Sequence, residues 1–169
     1  MVMKVESYKK NTRPRFREGI VRVGFFADTK YDDKDGKIVS VAQVARWNEF
    51  GTKVEHGIPE RPFMRPAVFA NKAQLTEKLR SLYKQALKDK KPGIQALETF
   101  GEYVVELIKK QIDATYTPEN SPITIHGGWL GYKGGRSVYV EGKQGKSHPL
   151  KDTGFMQDSV SYKAEEVFK

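Results

Sequence analysis

The stretch RWNEFGTKVEHGIPERPFMRPAV, residues Arg46–Val68, decides the fold because it joins two predicted helices through a polar loop. Trp47 and Phe50 are large apolar residues at the end of the first helix. Gly51 stands where a left-handed carboxyl-terminal cap belongs. Pro62 suits the first turn of the next helix, where its missing N–H costs nothing. We therefore expect a fixed corner between the two helices.

The side chains of this corner suggest their own contacts. Phe63 begins the second helix, and we expect its ring to pack with those of Trp47 and Phe50. Glu49 is close enough in sequence to meet Arg61 across the loop, and this ion pair would orient the corner. An ordinary hydrophobic staple between two helices explains the same pattern. The corner is thus either an ordered interface, the support of one, or a purely internal joint.

The composition favours one domain with a small core. The chain has 169 residues, of which 38% are hydrophobic and 30% are charged, and this length fits a single domain. We expect neighbouring subunits to complete part of the apolar surface. The absence of cysteine excludes disulfides and cysteine-based zinc sites or nucleophiles. No apolar run approaches the ~20 residues that span a bilayer, and the start lacks the apolar block of a signal peptide.

Positive charge is concentrated in two regions, and the formal net charge is +9. We interpret residues 1–17 as a basic amino-terminal arm that orders only against a partner, and residues 18–169 as a single domain. Such charge attracts nucleic acid or acidic protein surfaces, although a solvated face explains it equally well. The basic residues concerned are Lys4, Lys9, Lys10, Arg13, Arg15, Arg17 and Arg22, and then Lys133, Arg136, Lys143, Lys146 and Lys151.

Hydrophobic periodicity predicts an α+β fold. Residues 19–27 and 159–168 alternate as strands, and the simplest sheet pairs these first and last strands. Ser40 caps a shorter helix. Two long helices are expected, over about 61–91 and 94–116, and Pro66 should shorten or distort the start of the first. The expected architecture is a small antiparallel sheet with a hairpin insertion, packed with two long helices and one shorter helix.

One glycine interrupts the second long helix. Gly101 lies on its apolar stripe, where glycine costs ~1 kcal/mol relative to alanine. We expect this cost to be offset by the close approach of another backbone.

Residues 126–148 are a Gly-rich insertion. Short strands are predicted at 123–125, 128–132 and 137–141, and Gly134-Gly135 would turn the second hairpin. We expect a projecting hairpin or flexible loop that offers aromatic side chains to a partner. These side chains are Trp129, Tyr132 and Tyr139.

The polar side chains form no recognised chemical constellation. Residues 32–36 lack the ligand spacing of an EF-hand and favour a β-turn ending at Asp35-Gly36. No nucleophile, P-loop or dinucleotide-binding motif is present. The histidines are not at helical spacing, so a zinc site would need distant segments to converge. They are His56, His126 and His148. We therefore predict no catalytic, cofactor-binding or metal site.

Four motifs, in order, resemble those of one protein family. NEFGT, followed by IPERPF and a long helix, is similar to a pattern in the tail-completion and neck proteins of tailed bacteriophages. VRVGFF resembles the family's first strand. IDATYTPENSPITI resembles the end of its second long helix, and PLKDTGFMQDSVSY resembles its closing segment. The resemblance covers residues 19–125 and 149–165, whereas 126–148 is longer than usual.

The resemblance implies a non-enzymatic virion protein that is assembled in the host cytoplasm. Such proteins form rings, commonly hexamers, between the portal-side connector or stopper and the tail tube or its terminator. The implied partners are further copies of the chain and these neighbours, with DNA nearby and no membrane. Two alternatives remain: a basic nucleic-acid-binding accessory protein, whose affinity would fall with salt, and a hydrolase with an unfamiliar site.

Overall fold

A computed structural model describes residues 19–31, 39–143 and 147–167 of the chain. These residues form a mixed α+β fold, with small antiparallel sheets and helices. Along the chain the elements are β1 (Gly19–Gly24), β2 (Lys30–Tyr31), β3 (Val39–Ser40), α1 (Val41–Phe50), α2 (Met64–Phe69), α3 (Lys72–Lys88), α4 (Gly93–Ala114), α5 (Pro122–His126), β4 (Gly128–Gly131), β5 (Ser137–Val140), α6 (Phe155–Asp158) and β6 (Ser161–Glu166).

The first and last strands pair as the sequence predicts. β1 and β6 are antiparallel, with Val21 opposite Ala164 and Val23 opposite Tyr162. These four side chains are partly buried and pack against the core. Alternate residues therefore cover α4, while the charged neighbours face away from it, because side chains on a strand alternate between its two faces.

The helix α4 is the centre of the core. Its buried face carries residues at helical spacing, including Leu97, Phe100, Val104 and Ile108. The predicted close approach occurs at Gly101, but the neighbour is a side chain and not a backbone. A Cβ atom there would lie 2.5 Å from Cδ2 of the Tyr162 ring.

The predicted helix over 61–91 is two helices. α2 and α3 are separated at Ala70 and Asn71. The Asn71 side chain donates to the Ala67 carbonyl at 2.9 Å, and that carbonyl is the acceptor that an uninterrupted helix would offer to the Asn71 backbone. Such local side-chain bonds compete with helical ones, so the prediction of one continuous helix was wrong.

The predicted strand at 123–125 is also wrong, since this segment is the short helix α5. The side chain of Ser121 accepts the Thr124 N–H at 3.4 Å, and Pro122 occupies the first turn. A serine cap followed by proline favours a helical start, and here it overrides the β-branched residues that suggested a strand.

The predicted hairpin is present. β4 and β5 pair antiparallel, and both glycines at the turn, Gly134 and Gly135, have positive φ. The Tyr132 N–H donates to the Arg136 carbonyl at 2.7 Å and closes the turn. The expected arm at 1–17 and the expected turn at Asp35-Gly36 lie outside the described residues.

Candidate interaction surface

The corner between α1 and α2 is built on a buried carboxylate. Glu49, near the end of α1, is only 3% exposed. Its Oε2 accepts the backbone N–H groups of Phe63 at 2.7 Å and Met64 at 2.9 Å. Its Oε1 accepts the N–H of Arg65 at 3.0 Å. A negative charge therefore satisfies the otherwise unpaired donors at the start of α2, where the helix dipole also favours it.

Arg65 is the ionic partner of Glu49, so the expected pair between Glu49 and Arg61 is wrong. Arg65 Nε lies 2.9 Å from Glu49 Oε1, and its Nη2 donates to the Glu49 backbone carbonyl at 2.7 Å. The same guanidinium pairs with Glu60 and lies 4.8 Å from the centroid of the Phe50 ring. Hydrogen bonds to Glu60 and then to Glu49 raise the pKa of Arg65.

Arg61 instead ties the corner to the turn that follows α4. This side chain is 5% exposed, and burial lowers its pKa. Its Nε donates to the Pro118 carbonyl at 2.6 Å, and its Nη2 donates to the Glu119 carbonyl at 2.9 Å. Its backbone N–H donates to the Asn48 carbonyl at 2.7 Å. Backbone carbonyls carry no residue-specific signal, so the sequence could not identify these partners.

The aromatic residues of the corner separate into buried and exposed groups. Phe63 is fully buried and packs edge-on against Phe25, with ring centroids 6.0 Å apart. Phe50 is 58% exposed, and Trp47 and Pro62 are half-buried. Phe63 therefore packs inside the fold, whereas Phe50 is turned towards solvent. The expected packing of Phe63 with Trp47 stays a prediction.

Gly51 begins a closed loop between the two helices. It has φ +67°, and a Cβ there would lie 3.0 Å from both Glu60 N and Ile58 O. The Thr52 N–H donates to the Ile58 carbonyl, and the Ile58 N–H donates to Thr52 Oγ1, both at 2.8 Å. Glycine is thus required for the backbone conformation and for the close approach of the returning chain.

This loop docks on the β4–β5 hairpin. His56 Nε2 donates to the Gly131 carbonyl at 2.7 Å, and its ring lies 5.1 Å from that of Tyr132. Glu55 accepts the Lys133 N–H at 3.1 Å. The sequence suggested two separate features, the corner and the insertion, and the structure brings them together.

The hairpin presents an aromatic pair to solvent. Trp129 and Tyr139 are directly opposite on the two strands, with ring centroids 5.4 Å apart. Trp129 is 70% exposed and Tyr139 is 59% exposed, whereas Tyr132 lies at the edge of the loop contact with 36% exposed. Large exposed aromatic side chains of this kind are enriched where proteins meet partners.

A second surface was not expected from the sequence. An apolar groove of about 220 Å³ lies between β1 and α3 and is also lined by residues of α4 and α2. Val21, Val68, Leu79 and Phe100 each line it from a different element. Because these residues are distant in sequence, no local pattern distinguishes a groove from ordinary core.

Two of the histidines, His56 and His148, have structural contacts. His148 Nε2 donates to the Asp113 carbonyl at 3.2 Å, and its Nδ1 accepts the Leu150 N–H at 3.2 Å. Within residues 19–31, 39–143 and 147–167, no group of three or more histidine or acidic side chains could hold a metal ion. In the same ranges, every helix is too short or too polar to cross a bilayer.

Comparison with known proteins identifies no relative. No family model matches the chain, and neither a curated protein nor a solved structure matches it significantly.

Proposed function

We propose that this chain is a structural protein of a bacteriophage neck, which forms a ring at the head–tail junction and completes the tail so that head and tail can join. The observation that carries the proposal is the set of apolar side chains exposed around a firmly bonded corner. Phe50 is 58% exposed, Val54 is 69% exposed and Phe69 is 71% exposed. They stand at the end of α1, in the following loop and at the end of α2.

Exposed apolar groups of this size are expected at contacts between proteins. The corner beneath them is held by buried polar bonds from Glu49 and Arg61, so its shape is set before any partner arrives. A preorganised surface loses less conformational entropy on association. This arrangement supports a role in assembly, which the NEFGT and IPERPF motifs suggest independently.

A ring requires each subunit to offer two different surfaces, because cyclic assembly uses head-to-tail contacts. The chain has candidates for both, since the aromatic hairpin and the apolar groove are formed by different elements. The net charge of +9 also suits a ring through which DNA passes, because it would attract the phosphate backbone without reading sequence.

Two measurements test the proposal. Native mass spectrometry of the full chain should show a closed ring with one predominant subunit number. In a phage that encodes the chain, a nonsense mutation in its gene should leave filled heads and finished tails unjoined, and expression in trans should restore joining. A strictly monomeric protein, or infectious particles that assemble without it, would contradict the proposal.

The positive charge favours a second candidate, a basic nucleic-acid-binding accessory protein. Lysine and arginine outnumber the acidic residues by 30 to 21, and phosphate contacts of such residues give an affinity that falls linearly with log salt. A filter-binding series across salt concentrations distinguishes the candidates. Tight binding with a steep slope by a monomer supports the accessory protein, whereas weak binding by a ring supports the neck protein.

A further inference from the structure

The groove lies beside an unpaired strand edge. β1 pairs with β6 along one edge, and no other described residue pairs with its second edge. Val21 and Val23 of β1 line the groove, whereas β6 contributes nothing to it. The groove therefore lies beside β1 and not beside β6, and Leu75 and Leu79 of α3 line it as well. Such an edge can accept an additional strand, whose alternate side chains enter the adjacent hollow.

The size and the lining of the groove restrict what it can hold. Its volume of about 220 Å³ is below the roughly 300–1,000 Å³ of typical small-molecule sites. Apolar side chains such as Leu97, Phe100 and Val104 dominate the lining. An apolar hollow of this size suits one or two large side chains better than a polar metabolite or a nucleotide.

The same chain exposes large aromatic side chains that suit such an apolar hollow. The β4–β5 hairpin holds Trp129 and Tyr139 side by side, each more than half exposed. It is itself a two-stranded sheet, so no other strand of the described residues pairs with the outer edge of β5, whereas His56 occupies the β4 edge at Gly131. One surface thus supplies aromatic side chains beside an open edge, and the other supplies an apolar hollow beside an open edge.

We propose that the hairpin of one copy docks along β1 of the next copy and places its Trp129–Tyr139 pair in the groove between β1 and α3. The proposal rests on the ring inferred above and identifies the contact that would close it. Because donor and acceptor surfaces differ, the contact is head-to-tail. A chain with complementary patches in different places forms a closed ring when the rotation between copies closes.

The test uses two full-length variants, one for each side of the contact. Trp129→Ala removes the larger aromatic group of the hairpin, and Val68→Glu places a charge at the half-buried wall of the groove. Each variant alone should be monomeric in native mass spectrometry at concentrations where the wild type forms rings. Loss of one aromatic hot spot should weaken association by roughly 30-fold or more. Circular dichroism and thermal melting establish that each variant is folded.

Mixing the two variants gives the decisive result. In an equimolar mixture, the intact groove of Trp129→Ala can accept the intact hairpin of Val68→Glu, and the opposite contact is blocked on both sides. A discrete heterodimer should appear, which neither variant forms alone. As matched controls, Tyr116→Ala removes an aromatic residue that is 58% exposed outside the hairpin, and Gln74→Glu adds a charge at an exposed position beside Leu75. Both controls should retain the ring.

The outcomes separate this contact from the broader proposal. If the wild type forms rings and both variants do so as well, the hairpin–groove contact is overturned while the neck function stands. If Val68→Glu breaks the ring but Trp129→Ala does not, another segment or another protein fills the groove, and the contact is again overturned. If the wild type is a monomer at every concentration, both proposals fail together.

Discussion

Glu49 Oε2 accepts the backbone N–H of Phe63 at 2.7 Å, so a carboxylate near the end of α1 caps the amino terminus of α2. A loop of thirteen residues separates the two helices in the sequence. The side chain is only 3% exposed and also meets the Arg65 guanidinium. This one carboxylate fixes the angle between two helices through three backbone donors and one charge.

Replacing Glu49 by Gln should destabilise the protein by about 1–3 kcal/mol, because an amide keeps one acceptor and directs two N–H groups towards backbone donors. In a domain of this size that corresponds to a fall in Tm of roughly 2–12 °C. Urea unfolding at neutral pH measures the difference. Glu60→Gln is the control, since Glu60 also pairs with Arg65 but its side chain is 53% exposed.

Phe63→Ala should cost ~3–5 kcal/mol, because this ring is fully buried and its removal leaves a cavity. The loss should be seen in the unfolding of the monomer itself. Phe50→Ala provides the comparison at the same corner. Phe50 is 58% exposed, with the Arg65 guanidinium over its ring, so its loss should cost about 1 kcal/mol or less. Equal costs for the two variants would show that the corner is packed differently.

The sequence predicted the elements whose signal is local or periodic. Alternation identified β1 and β6, helical spacing identified α4, and the paired glycines identified the β4–β5 turn. Ser40 begins α1 as expected, since its side chain accepts the Gln43 N–H at 3.2 Å. Each of these features is determined by residues that are close together in the sequence, or by the regular spacing of the residues that become buried.

The contacts of the corner depended on geometry that the sequence does not contain. Glu49 is twelve positions from Arg61 and sixteen from Arg65, and distance along the chain favoured the nearer arginine. In the structure, the start of α2 carries Arg65 back onto Glu49, while Arg61 is directed to the carbonyls of Pro118 and Glu119. The orientation of α2 decides between the two arginines.

The end of α4 gives a pH-dependent prediction. Asp113 pairs with Lys151 and accepts the Gln157 Nε2–H at 2.8 Å. The hydrogen bond from Lys151 lowers the pKa of Asp113 below 3.8, Gln157 adds to this, and partial burial opposes it. Because the folded-state pKa is depressed, the stabilisation is present above the ordinary aspartate pKa and is lost as pH falls through the folded-state value.

Asp113→Asn should therefore lower stability by about 0.2–1 kcal/mol at pH 7, as expected for an exposed pair. The difference in the free energy of unfolding between wild type and Asp113→Asn should narrow as the pH falls below 3.8. Denaturant unfolding of both proteins at a series of pH values measures this difference in the free energy of unfolding. Lys151→Met should remove most of the effect of Asp113→Asn in a double-mutant cycle. A gap that is constant across this pH range would argue against the pairing.

Gly101→Ala tests the packing of the sheet on α4. In an open helix this change would stabilise by ~1 kcal/mol, but here the new Cβ would lie 2.5 Å from the Tyr162 ring. The ring is anchored by its place opposite Val23 in the sheet and by a 3.2 Å hydrogen bond from its hydroxyl to Glu102. Overpacking of this kind costs about 1–3 kcal/mol, so the net effect should be destabilising. In a Tyr162→Ala background the ring is removed and the 3.1 Å contact with the Cβ of residue 162 remains, so the same change should be clearly less destabilising. Thermal unfolding of the four proteins measures this difference, and an equal cost in both backgrounds would show that the Tyr162 ring is not what requires glycine at this position.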